Sequence, residues 1–160
     1  MELTEIGDRL EIQDIYARYV HAVDKADYDT LDARVFTSDA MFDYSQANGP
    51  VFTWTELREA DMFGGNGFEH IFHLSSNLVI DFDETGTRAS CYSKTFNPWA
   101  KTDDDGKALT FQIHGTYYDV VEKTERGWRI AGRRWVEDWV SGWEGGTFRL
   151  LATMTEVGSI

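Results

Sequence analysis

Near Phe72 the hydrophobic pattern of this chain changes period from helical to extended, and that change dictates the class of fold. Upstream, Ile6, Leu10, Ile15, Tyr19, Ala22 and Val23 recur at helical spacing behind Thr4, a candidate cap. A second helical stretch, 28–35, follows a break at Asp24-Lys25-Ala26-Asp27. The segment 40–44 reads as a short strand. The segment 54–62 reads as a third helix, capped by Thr53 or Thr55 and stopped at Gly64-Gly65. Downstream, 78–82, 88–96, 109–121 and 128–139 are rich in aromatic and β-branched residues. Turn signals separate them: Asp83-Glu84-Thr85-Gly86, Asp103-Asp104-Asp105-Gly106 and Thr124-Glu125-Arg126-Gly127. Long strands in hairpin succession make an antiparallel sheet. Helices first and a curved meander afterwards predict an α+β fold, a cone-shaped barrel whose long first helix covers one face of the sheet. The cavity between helix and sheet is then the place to look for function.

A chain of 160 residues is one domain's worth of sequence and buries a core without staples. We assign 1–140 to the domain. The segment 141–160 reads as a lid or subunit-interface extension of it, because Trp143-Glu144-Gly145-Gly146 interrupts the strand pattern before the apolar Phe148, Leu150, Leu151 and Met154. With 42% apolar and 14% aromatic residues, disorder and low complexity are excluded. The net charge of -13 repels phosphate backbones and anionic lipid, so neither nucleic acid nor membrane is an expected partner, and a neutral, apolar or cationic ligand fits better. Cys91 is the sole cysteine, which excludes an internal disulfide and any multi-cysteine metal site; its alternating surroundings read as a strand with a packed thiol. The acidic N-terminus lacks the pattern of a signal peptide and no apolar run reaches membrane-spanning length, so the cytoplasm is the expected location. An aromatic outer sheet face would be costly in water unless covered, which predicts a homo-oligomer.

Asp24 and His73 are the sharpest candidates for chemistry. A carboxylate at the C-terminal end of a helix opposes the macrodipole, so Asp24 needs another reason for its place; capping the next helix, by Asp24 or Asp27, is the structural one. His73 lies in the apolar run Ile71-Phe72-His73-Leu74, where a satisfied core histidine is the competing reading. If the two meet, the carboxylate accepts one imidazole N–H, fixes the tautomer and leaves the other nitrogen as a base. His70 and His114 compete for that role. His70 with His73 offers no third ligand, so no metal is assigned. Phe42, Tyr44, Phe72, Tyr92 and Trp135 are the aromatic residues expected around a ligand.

The motifs Glu11-Ile12-Gln13-Asp14-Ile15-Tyr16, Val23-Asp24-Lys25, Phe72-His73-Leu74-Ser75-Ser76-Asn77, Gly115-Thr116-Tyr117-Tyr118-Asp119 and Gly127-Trp128-Arg129-Ile130 resemble the SnoaL-like branch of the nuclear transport factor 2 superfamily over roughly residues 5–140. Val-Asp-Lys with a later His-x-x-x-Asn is similar to the group of hexachlorocyclohexane dehydrochlorinase, scytalone dehydratase and bile-acid 7-alpha-dehydratase, eliminating enzymes that use no cofactor. The resemblance implies that Asp24 and His73 form the base dyad. It further implies that Tyr19 polarises a substrate oxygen or leaving group and that Arg133 stabilises developing negative charge, with Arg134 as the neighbour of opposite strand parity. His114 and Tyr44 correspond to pocket residues of scytalone dehydratase, whereas its tyrosine before the catalytic aspartate is Val23 here. The dehydrochlorinase lysine is Tyr19 here, which disfavours chloride departure and favours loss of an oxygen leaving group. The expectation is therefore a dehydratase acting on an apolar cyclic hydroxylated substrate such as a steroid or polyketide, trimeric in preference to dimeric. An isomerase or cyclase with the same dyad, or a binding module, is the alternative.

Overall fold

The computed structural model describes residues 2–64, 68–103 and 105–142, and the expected extension over 141–160 falls almost wholly outside the described residues. Helix α1 (Leu3–Val23) buries Ile12, Ile15, Tyr16, Tyr19, Ala22 and Val23, a stripe at intervals of three and four residues. That stripe begins later than the sequence pattern suggests. Leu10 is 61% exposed, and Thr4 lies inside the helix, whose first turn has no side-chain cap. Helix α2 (Tyr28–Thr30) leads into a π-helical turn (Leu31–Val35), and Asp27 caps α2 through the Thr30 backbone N–H and hydroxyl.

Strands β1 (Phe36–Asp43) and β2 (Val51–Thr53) come next, then helix α3 (Trp54–Glu59). Thr53 and Glu56 cap α3 reciprocally: the threonine hydroxyl accepts from the Glu56 N–H, and the glutamate accepts from the Thr53 N–H. The helix buries Trp54 and Leu57 and ends at Glu59, shorter than its apolar pattern. Thr53→Ala should cost about 1 kcal/mol in urea unfolding, the usual value of a lost cap.

The remainder is strand: β3 (His70–Ile71), β4 (Leu74–Phe82), β5 (Arg88–Thr102), β6 (Ala108–Thr124) and β7 (Gly127–Ser141). Among the described residues seven strands form one sheet in the order β2-β1-β7-β6-β5-β3, with β4 also paired to β5. The hairpins β4-β5, β5-β6 and β6-β7 are antiparallel. β1, however, lies parallel to β7, Phe42 opposite Arg133. The sheet is therefore mixed rather than antiparallel, because β1 enters from the helical layer and takes the free edge that β7 leaves. Side-chain alternation reports which face a strand buries and carries no information on its partner's direction. The sheet also stays open, a curved half-cone and not a closed barrel. Register shifts between Ser76 and Val79 on β4 and at His114/Gly115 and Val120/Val121 on β6 accompany the curvature. Helix α1 packs in the concave side, and Phe36, Phe42, Trp128 and Ile130 fill the core around its middle.

Candidate active site

The residue after α1 is Asp24, whose backbone is still helical. His73 occupies the short link between β3 and β4, and the antiparallel pairing of both strands with β5 fixes that link against the end of α1. The Asp24 carboxylate grips His73 at two points. Oδ2 accepts the His73 backbone N–H at 3.2 Å, and Oδ1 lies 2.6 Å from ring Nδ1. A carboxylate only accepts, so Nδ1 carries a proton, and in the neutral ring it is Nε2 that has the lone pair. Tyr19 and Trp99 pack edge-on against the imidazole, at centroid distances of 6.4 and 5.9 Å. Since Asp27 caps α2, Asp24 is not needed there.

His73 lines a cavity of about 70 Å³ between α1 and the sheet, together with Tyr19, Tyr44, Asn97, Trp99, Tyr117 and Trp135. Apolar side chains, including Met62 and Phe63 from the turn after α3, complete the wall. A volume of this size holds ordered water, whereas a polycyclic ligand would have to displace part of the wall.

The Tyr19 and Tyr117 hydroxyls are 3.1 Å apart and hydrogen-bonded. Arg133 lies behind them, its guanidinium 4.1 Å from the Tyr19 ring centroid and 3.8 Å from that of Tyr117. It is fully buried and paired with Asp119 through Nε to Oδ1 at 2.8 Å and Nη2 to Oδ2 at 2.7 Å, and the Tyr16 hydroxyl donates to the same carboxylate at 2.6 Å. Burial alone would lower the arginine's pKa, but the Asp119 charge outweighs it and holds the guanidinium ionised. Burial raises the Tyr19 pKa above its ordinary value, against the opposing pull of Arg133. Burial and the neighbouring Tyr19 do the same for Tyr44 and Tyr117. These hydroxyls remain donors. By parity Arg133 is the inward of the two arginines, although it stands behind the tyrosines and does not line the cavity, whereas Arg134 is exposed and lies over the Tyr118 ring on the outer face.

The other sequence candidates sit elsewhere. Phe42 is buried in the core against Phe36 and Trp54 and does not line the cavity. Phe72 is 53% exposed, because its neighbour His73 takes the inward position in the link. Tyr92 stacks with Tyr118 outside the sheet, since the inward row of β5 is Cys91, Ser93, Thr95, Asn97 and Trp99. His114 lies between Phe96 and Trp139 on that outer face, and His70 is exposed on β3. None of these five lines the cavity. Burial, with the nearby Asp119 charge, pushes the Cys91 thiol up to about 12, so it stays protonated and is no nucleophile. Among the described residues no three His, Cys, Asp or Glu side chains cluster as metal ligands.

Asn97, Trp99, Tyr117 and Asp119 were not singled out as site residues by the sequence reading. The signal for Asn97 was present: Ser93, Thr95 and Asn97 share the parity of Cys91, a polar row on a face that should otherwise be apolar.

The fold is an open, curved α+β cone whose mainly apolar cavity is lined by a histidine paired with a carboxylate. The chain belongs to the SnoaL-like domain family, whose model matches residues 4–134. An uncharacterised protein of Mycobacterium tuberculosis (strain ATCC 25618 / H37Rv) is 34% identical over 137 residues, 83% of this chain and 87% of the relative. A solved structure from Novosphingobium aromaticivorans, provisionally named an aromatic ring hydroxylase, is 30% identical with a TM-score of 0.72, covering 91% of this chain and 97% of the other. A second from the same species, provisionally named a scytalone dehydratase, is 21% identical with a TM-score of 0.75, covering 90% and 93%, and shows likeness of fold.

Proposed function

We propose that this protein is a cofactor-independent dehydratase acting on an apolar, cyclic, hydroxylated carbonyl compound. The observation that carries the reading is the two-point grip of Asp24 on His73, a residue of the cavity wall, and we take the ring's other nitrogen, Nε2, as the base. Nε2 takes a proton from carbon beside the carbonyl, the electron pair forms a carbon–carbon double bond, and the bond to the hydroxyl breaks. The imidazolium, stabilised by Asp24, gives its proton to the departing hydroxyl, so water leaves and His73 is neutral again. The Tyr19 hydroxyl donates to the oxygen on which negative charge develops. Arg133 acts through the Tyr19 and Tyr117 rings, orienting the hydroxyl pair, because its own charge is committed to Asp119.

The pH profile has a defined sign. Activity falls on acidification, because a protonated imidazole has no lone pair for the proton of carbon. Tyr19, raised above 10.0 by burial, keeps its proton through the mildly alkaline range, so no alkaline limb appears below about pH 10. Rate measurements across pH check both.

The reading is tested by incubating the protein with a panel of hydroxysteroids and polyketide-like ketols and weighing the products. Loss of one water supports it. Conserved mass with deuterium taken from heavy water means an isomerase or cyclase with the same base. Binding without turnover means a binding module. The exposed Tyr92, Tyr118 and Trp139 on the convex sheet face support a homo-oligomer, which we assign as a trimer, and sedimentation equilibrium reads its mass. No described helix is long and apolar enough to cross a membrane.

A further inference from the structure

Two residues of the cavity wall each carry a buried polar atom with no partner inside the protein. Asn97 is 3% exposed and Trp99 is 9% exposed, yet the Asn97 Oδ1 and the Trp99 indole Nε1 make no hydrogen bond. Buried polar atoms are nearly always paired in folded proteins, and an orphan calls for an explanation. Both residues line the same cavity as His73. They also occupy successive inward positions of β5, one strand repeat apart, and the Trp99 ring packs edge-on against the imidazole. One orphan is an acceptor and the other a donor. Two residues of the wall, one packed against the imidazole, thus carry an unpaired acceptor and an unpaired donor at neighbouring inward positions of one strand.

We infer that Asn97 and Trp99 form the recognition pair for a hydroxy ketone: a substrate hydroxyl donates to Asn97 Oδ1, and the substrate carbonyl accepts the Trp99 N–H. The inference deepens the dehydratase reading and rests on it for the chemical step. It explains how a mainly apolar cavity orients its ligand, since the two bonds are directional whereas the surrounding apolar contacts are not. Holding the carbonyl at Trp99 brings the acidified carbon to His73 and gives the enolate oxygen a second donor besides Tyr19 as charge develops. It also sets specificity against halogenated or purely hydrocarbon ligands, which offer neither a donor for Asn97 nor an oxygen for Trp99 and would leave both groups unpaired.

The test separates recognition from turnover by measuring binding. 3-Hydroxycyclohexanone, cyclohexanone and cyclohexanol are titrated into the wild-type protein, Asn97→Leu and Trp99→Phe, with amide chemical shifts as the readout and near-ultraviolet circular dichroism as the check on folding. The wild type should bind the hydroxy ketone about tenfold more tightly than either single-function ligand, the usual scale of one hydrogen bond. Asn97→Leu should lower hydroxy ketone affinity to that of cyclohexanone and leave cyclohexanone unchanged. Trp99→Phe should weaken both ketones and spare cyclohexanol. Equal wild-type affinity for all three ligands overturns the inference without any variant. So does binding of none, or a uniform loss across the ligands in either variant. If binding follows the expected pattern but no product lighter by one water forms from the hydroxy ketone, recognition stands and the dehydratase reading fails.

Discussion

His73→Ala is expected to fold like the parent and to lose between about a hundredfold and ten-thousandfold in kcat, the range that a positioned general base supplies. The side chain sits in a short link on the cavity wall, outside the hydrophobic core, and its removal leaves the sheet pairing of β3 and β4 with β5 in place. Stability should therefore change little while chemistry disappears. Asp24→Ala should follow the same pattern by a different route. The imidazole remains, but nothing fixes its tautomer or stabilises its protonated form, and the His73 backbone N–H loses its acceptor. The double variant should be little worse than either single one, because the two side chains act as a unit. Steady-state kinetics on the first substrate the panel yields reads all three, and full turnover by either single variant rejects the dyad.

The second large effect is on stability. Asp119→Ala is expected to cost about 3–5 kcal/mol, because it leaves the Arg133 guanidinium charged, buried and unpaired. The side chains of the pair are 1% and 0% exposed, so water cannot take the place of the lost carboxylate. The Tyr16 hydroxyl loses its acceptor at the same time. The midpoint of urea unfolding should fall accordingly. The double change Arg133→Met with Asp119→Leu should recover most of the loss, since replacing both charges removes the unpaired one. A single-variant loss below about 1 kcal/mol would contradict a buried, mutually dependent pair.

How much of this was legible in the sequence depends on what each signal encodes. Hydrophobic period separated the helical half from the sheet and placed the turns, because it follows directly from the geometry of helix and strand. It could not report that β1 runs parallel to β7. It also overextended the buried stripe of α1 to Leu10, because the start of that stripe is decided by where the sheet lies. Asp24 was legible for a physical reason, as a carboxylate at the wrong end of a helix. Tyr19, Tyr44 and Trp135 fall on the cavity wall. Phe72, Tyr92 and His114 do not, since being aromatic says nothing of strand parity, and parity turns Tyr92 and His114 outward. Parity would also have exposed Asn97 and Trp99, whose polar atoms stand out once the inward row of β5 is known.

The most direct measurement is a long-range proton–nitrogen-15 spectrum of the His73 ring in mildly alkaline solution, for the parent and for Asp24→Asn. The parent should show a protonated Nδ1 and a bare Nε2 facing the cavity, and the variant should lose that single-tautomer signature. A parent ring protonated at Nε2 would leave no base pointing at a substrate and would contradict the proposed elimination at its first step.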